Sequence, residues 1–360
     1  MRKIIKLPIL FIIAIISITS CNNKEYTKYD NTFYDAFDTI IVFTAYTKTD
    51  EEFNKYYDIV KNEFERLHKL YNQYDSFKGI NNIKTINENA GIKAIKVDKD
   101  IINLLKFSKD MSEKYSNKTN IAFGSVLEIW HEYRTEGLNK PENAKLPNME
   151  DLKKASEYID LSKVIIDEKN STVFLKDKNM ALDIGATSKG YASQLVIDKV
   201  KEEGCISAIL NAGGNILSVG KPEEKGKYKW SIGIQNPNSE MGDTGTSNTD
   251  IVYANDISVV TSGDYQRYYE VEGKRYNHII DPSTLMPADK FKSVTVLSKD
   301  SGVADFFSTT LFMLSLEEGK ELLEKVEDVE AIWIDKNNKI TTTNGMKQYL
   351  KSKGAKAISD

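Results

Sequence analysis

One stretch limits what this chain can fold into: residues 180–204. Met180 to Ile184 is mostly apolar and reads as the end of a buried strand. Gly185, Ala186, Thr187 and Ser188 are all small, so a ligand can come close to the backbone there. From Lys189 the pattern is helical. Tyr191, Leu195, Val196 and Val200 recur at helical spacing, and Gly204 is placed to end the helix. Free backbone N–H groups at a helix start, next to a lysine, form a natural anion site.

The rest of the chain alternates helices and hairpins. Thr32 to Tyr46 is β-like, and Glu51 to Tyr74 is helical with a core stripe from Phe53 to Tyr71. His68 on that helix reads as a packing or surface residue. Asp98 to Tyr115 forms a second amphipathic helix, with Asp100 as its expected cap. Residues 135–148 read as loop, and Asn236 to Asp250 as a polar loop. Arg267 to Ile280 reads as a hairpin turning at Glu272-Gly273, and Val303 to Leu314 as an apolar helix. Because hairpins and helices both join the strands, the expected class is α+β, with mixed sheets and packed helices.

The N-terminus has its own logic. Arg2, Lys3 and Lys6 precede an apolar run from Leu7 to Ile18, which is followed by Thr19, Ser20 and Cys21. This is the layout of an export signal, and its end resembles a bacterial lipobox. The run is shorter than the ~20 apolar residues of a spanning helix, the alternative reading. The expected division is a signal peptide at 1–20, lipidation at Cys21, a polar tether at 21–31 and a folded domain at 32–350. The folded part is then held by its lipid on the outer side of the cell membrane. With Cys21 lipidated, Cys205 is unpaired, and the core must hold the domain without a disulfide. A net charge of -4 gives no electrostatic case for nucleic-acid binding.

Four polar clusters sit where apolar elements end. The first is Asp183 with Lys189, and the second is Asn211-Ala212-Gly213-Gly214-Asn215, which reads equally as a tight strand-to-turn junction. The third joins Thr261-Ser262-Gly263-Asp264 to His278-Ile279-Ile280-Asp281-Pro282. The fourth is Asp305 with Thr309, four apart on an otherwise apolar helix and so on one face. A carboxylate there is costly unless paired or bound to a cation. Together the two oxygens suit Mg²⁺, and the alternative is that Asp305 bonds neighbouring backbone.

In this order the clusters resemble the ApbE family of FAD:protein FMN transferases, from about Phe33 to Gly319. The resemblance implies an ApbE-like, T-fold-like domain that uses Mg²⁺ and takes FAD as substrate. FMN is moved to a threonine or serine of exported flavoproteins that serve membrane electron transfer, and AMP is released. It also implies site residues. Asp183 and Lys189 contact FAD; Ala186 (through its carbonyl), Asp305 and Thr309 hold Mg²⁺, with Gly302 as a further backbone contributor. His278 is the general base, and Lys189 and Asp305 complete the catalytic set. Phe37 and Tyr74 fall at flavin-site positions, although Phe37-Asp38-Thr39 matches the family's Met-Gly-Thr only at the threonine. Lys118-Thr119-Asn120 replaces a common Ala-Phe-Asp, and Leu285 stands where glycine is usual. Gly185-Ala186-Thr187 resembles the short motif modified in acceptors, but Thr187 reads as site structure. The rival readings are a FAD pyrophosphatase and a non-catalytic flavin-binding lipoprotein.

Overall fold

The computed structural model describes residues 25–239 and 248–358. The signal segment, Cys21 and the middle of the Asn236–Asp250 loop lie outside the described residues.

The framework is an eight-stranded antiparallel sheet whose spatial order follows chain order. Its strands are Thr27–Ala36 (β1), Thr39–Thr47 (β2), Ala208–Ala212 (β3), Asn215–Val219 (β4), Ser258–Gly263 (β5), Phe291–Ser298 (β6), Glu330–Asp335 (β7) and Ile340–Thr342 (β8). Each pairs only with its neighbours, so the fold is a meander into which helices are inserted. One face is covered by Asp50–Tyr71 (α1) over β1 and β2, Ser188–Glu202 over β3 and β4, and Ser301–Met313 over β5 and β6. The other face is buried under the hairpin Trp230–Gln235 and Asn248–Ala254, through Trp230, Ile232, Val252 and Val259.

Between β2 and β3 the chain makes α1, Lys99–Lys114 (α2) and Gly124–Asn139 (α3), before Ser188–Glu202 (α4). The helix Ser301–Met313 (α5) follows β6. Helices α4 and α5 cross closely at Gly190. A Cβ on Gly190 would lie 2.2 Å from the Ser301 carbonyl oxygen and 2.5 Å from Asp305 Cβ. This glycine is therefore what lets the two helices meet.

Several local expectations are corrected. Thr32–Tyr46 is β as expected and forms most of the hairpin β1–β2, which turns on Phe37 (φ 56) and Asp38 (φ 49). Thr27–Asn31, read as tether, are already part of β1 and pair with Phe43–Thr47. The α2 cap is Asp98, whose side chain accepts from the Asp100 N–H at 2.9 Å, while the Asp100 carboxylate binds Arg66 instead. Helix α3 continues to Asn139, through part of the expected loop. Met180–Ile184 is extended but belongs to no sheet. Asn87 brackets it, donating from Nδ2 to the Leu182 carbonyl at 3.0 Å and accepting the Leu182 N–H at 2.8 Å. The side-chain amide thus stands in for a neighbouring strand. The mixed α and β class holds as expected.

Candidate active site

The small-residue turn after Ile184, the β1–β2 and β3–β4 turns and the end of β5 all reach one end of the sheet. With α3 and α5 they enclose a cleft of about 250 Å³. Asp183, Ala186, Lys189, His278, Asp305 and Thr309, from three separate parts of the chain, all line it. The β3–β4 turn closes the floor: a Cβ on Gly213 (φ 61) would lie 2.0 Å from Thr39 Oγ1. Only glycine fits there, so the second cluster is a packed junction as well as a cleft wall.

Asp305 is 4% exposed. Its Oδ2 accepts from the Gly190 N–H at 2.8 Å, the first free turn of α4. Burial pushes its pKa up, opposed by the Lys189 charge and the Gly190 N–H. No cation lies within ion-pair distance of it among the described residues. The Ala186 carbonyl, just before the cap residue Thr187, accepts no backbone hydrogen bond from the helix. Thr309 sits one turn from Asp305, its hydroxyl 3.2 Å from Ser262 Oγ. One carboxylate, one hydroxyl and one open carbonyl form an oxygen donor set suited to a hard cation. Among the described residues no cluster of three or more His, Cys, Asp or Glu side chains could hold a metal. Gly302 is not part of the cleft lining; a Cβ there would meet the Phe107 ring at 3.2 Å.

Lys189 lines the cleft, and burial lowers its pKa against the opposing pull of Asp305. His278 Nδ1 lies 3.1 Å from the Arg267 carbonyl oxygen. That oxygen can only accept, so Nδ1 carries the proton and Nε2 keeps a free lone pair. Burial, then Arg267, Arg134 and Lys189, hold the His278 pKa down to about 3, so the ring is neutral at pH 7. Asp183 is held by the Gly185 N–H at 2.8 Å and by Gln73 Nε2 at 2.7 Å.

The other expected contacts divide. Phe37 and Tyr74 line the cleft, and Phe37 is wedged against Phe64, His68 and Tyr71. His68 is a packing residue whose Nδ1 accepts the Phe37 N–H at 3.1 Å. Lys118, Thr119 and Asn120 reach the cleft wall, but their polar groups are engaged elsewhere. Lys118 Nζ donates to Asp281 Oδ1 and Ser283 Oγ, both at 2.6 Å. Thr119 Oγ1 bonds Thr310 Oγ1 at 2.7 Å, and Asn120 caps the turn at Ala122 while donating to the Ile159 carbonyl. Thr187 is buried against Ser108 at 2.8 Å, as befits structure rather than a modification site. Leu285 adopts φ 60, the conformation a glycine would supply, and its carbonyl accepts from Trp130 Nε1 at 3.0 Å. Cys205 is free and buried, and burial raises its thiol pKa to about 11.

Sequence reasoning missed His131, Arg134 and Arg267, which also line the cleft. The signal was present for the first two: Leu127, Trp130, His131 and Arg134 recur at i, i+3, i+4 and i+7 on α3.

Residues 37–333 match the family model described as the ApbE family. The chain belongs to the ApbE family. It is 33% identical over 280 residues to the FAD:protein FMN transferase of Klebsiella pneumoniae, covering 76% of this chain and 83% of that protein. It is 30% identical over 276 residues to the protein of the same name from Treponema pallidum, covering 73% of each. Among solved structures, the ApbE protein of Thermotoga maritima superposes with a TM-score of 0.75 at 25% identity, over 90% of this chain and 99% of that one. The flavin transferase ApbE of Vibrio cholerae shares the fold, with a TM-score of 0.74 at 19% identity over 90% of this chain and 100% of that one.

Proposed function

We propose that this chain is a FAD:protein FMN transferase. It moves FMN from FAD to a threonine or serine hydroxyl of an exported flavoprotein of a membrane electron-transfer system, forming a phosphoester and releasing AMP. The observation that carries the reading is the convergence of Lys189, His278 and Asp305 on one cleft. The names of the relatives at 33% and 30% identity support it.

Each residue has a physical task. Lys189, Arg134 and Arg267 supply positive charge where a pyrophosphate would lie. His278 Nε2 takes the proton of the acceptor hydroxyl, its ring oriented by the Arg267 carbonyl. The hydroxyl oxygen then bonds the phosphorus on the FMN side, and the bond to the AMP oxygen breaks. Asp305, Thr309 and the Ala186 carbonyl would hold Mg²⁺, which supplies charge neutralisation on the phosphate oxygens. The buried carboxylate without a paired cation is the feature that fits it. The N-terminal signal pattern and Cys21 support a lipid-anchored enzyme on the outer face of the cell membrane.

The test is incubation of the protein with FAD, Mg²⁺ and an acceptor domain, followed by intact mass measurement. Transfer adds the mass of FMN to the acceptor. Free FMN and AMP without an adduct would identify a pyrophosphatase, and intact FAD a binding protein.

A further inference from the structure

Helix α3 brings a second aromatic group and a cation to the cleft wall. The His131 ring stacks on the Tyr74 ring, with centroids 4.4 Å apart and planes 21° from parallel. His131 Nδ1 lies 3.0 Å from Arg134 Nη2. A guanidinium can only donate, so Nδ1 is the acceptor and the ring is the neutral Nε2–H tautomer. Burial, then the Arg134 charge, lower the His131 pKa and keep it so. On its other side Tyr74 is tied through its hydroxyl to Gln73 Nε2 at 3.0 Å, and the same amide nitrogen donates to Asp183 at 2.7 Å. The result is one continuous string: Asp183, Gln73, Tyr74, His131, Arg134.

Two properties of the string point to a ligand. Tyr74 is 47% exposed although it sits in a ring stack, so its second face is open. Arg134 is desolvated enough for burial to lower its pKa, yet no carboxylate lies within ion-pair distance of it among the described residues. An aromatic face and an uncompensated cation, joined through one imidazole, suit a planar ring with an anionic tail.

We propose that His131 is a positioning residue that sets the plane of Tyr74 and the direction of Arg134, so that the ring and the phosphates of one ligand are received together. This rests on the reading of the cleft as a flavin-nucleotide site. The two halves of the imidazole's task are separable. His131→Phe keeps a ring to stack on Tyr74 and removes the acceptor for Arg134. His131→Asn keeps an acceptor near Nδ1 and removes the ring.

Isothermal titration with FAD and with riboflavin, which has no phosphate, distinguishes the two. For His131→Phe, FAD affinity should fall roughly tenfold while riboflavin affinity stays within about twofold, the loss of one charged hydrogen bond. For His131→Asn, both ligands should weaken by the same factor, roughly three- to tenfold, the loss of one ring stack. Thermal melts check that each variant is folded, and either variant alone decides its own half. If wild type binds FAD but His131→Phe weakens both ligands equally or neither, or His131→Asn weakens neither, His131 has no positioning role and the flavin reading stands. If wild type binds neither ligand, the flavin reading itself fails, and this inference falls with it.

Discussion

Gly190→Ala tests whether the crossing of α4 and α5 builds the site. The added methyl would sit 2.2 Å from the Ser301 carbonyl oxygen, 2.9 Å from its carbon and 2.5 Å from Asp305 Cβ, two of the three being backbone atoms. Ordinary contact distances require the helices to separate by about 1 Å, at an overpacking cost of about 1–3 kcal/mol. The Gly190 N–H bond to Asp305, 2.8 Å long, would break at that separation. A displacement of about 1 Å at a reacting centre costs on the order of 10²-fold in rate. Helix propensity alone predicts the opposite sign, a gain of about 1 kcal/mol for alanine over glycine inside a helix. Urea denaturation gives the stability, and single-turnover FMN transfer at saturating FAD gives the rate. A variant at least as stable as wild type, with transfer within about twofold, would refute the argument that this contact positions Asp305.

Three further outcomes follow from the site. Lys118→Met should destabilise the protein by about 2–3 kcal/mol in urea while leaving FAD affinity within about twofold, because it strands the buried Asp281 carboxylate with only Lys290 3.8 Å away. Leu285→Gly should be more stable than Leu285→Ala by about 0.5–1 kcal/mol, since both lose the buried side chain but only glycine relieves φ 60; equal melting points would count against strain there. His278 has a folded pKa of about 3, below its unfolded value, so the unfolded state binds the extra proton and stability falls as pH drops below about 6.5. His278→Asn removes that linkage. Relative to wild type the variant should therefore gain stability between pH 8 and pH 5, and a pH-independent difference in melting temperature would show that the ring is not held neutral.

What the sequence reveals depends on the range of the interactions involved. The four polar clusters were legible because each sits where an apolar element ends or on an otherwise apolar helix. Their convergence was not, since it depends on β4, β5 and β6 being neighbours although separated by long insertions. The β1–β2 turn escaped because Phe37-Asp38 lacks the Asn-Gly signature of a two-residue hairpin. Its cost is offset at long range, by Phe37 packing on Phe64, His68 and Tyr71. Met180–Ile184 misled for a similar reason: its alternating burial is that of a strand, but its partners are the Asn87 amide on one edge and the non-strand backbone of Ile121 and Gly124 on the other. Lys118-Thr119-Asn120 shows the same principle in a site position. Three polar residues in place of an apolar pair and a carboxylate can keep the wall in place only by finding partners, and they find them in Asp281, Thr310 and Ile159.

The opening turn gains its meaning from the same logic. The first N–H groups of a helix have no carbonyl partner within it. Here Gly190 donates one of them to Asp305, which comes from a helix more than a hundred residues away in sequence. That bond orients one oxygen of the buried carboxylate. The Ala186 carbonyl lies just before the cap residue Thr187 and accepts no backbone hydrogen bond from the helix. The two groups proposed to face a cation thus meet at one helix start, because only glycine at 190 allows α5 close enough to accept that bond. The glycine inside the helix, unfavourable by propensity, is what couples the anion-binding turn to the carboxylate.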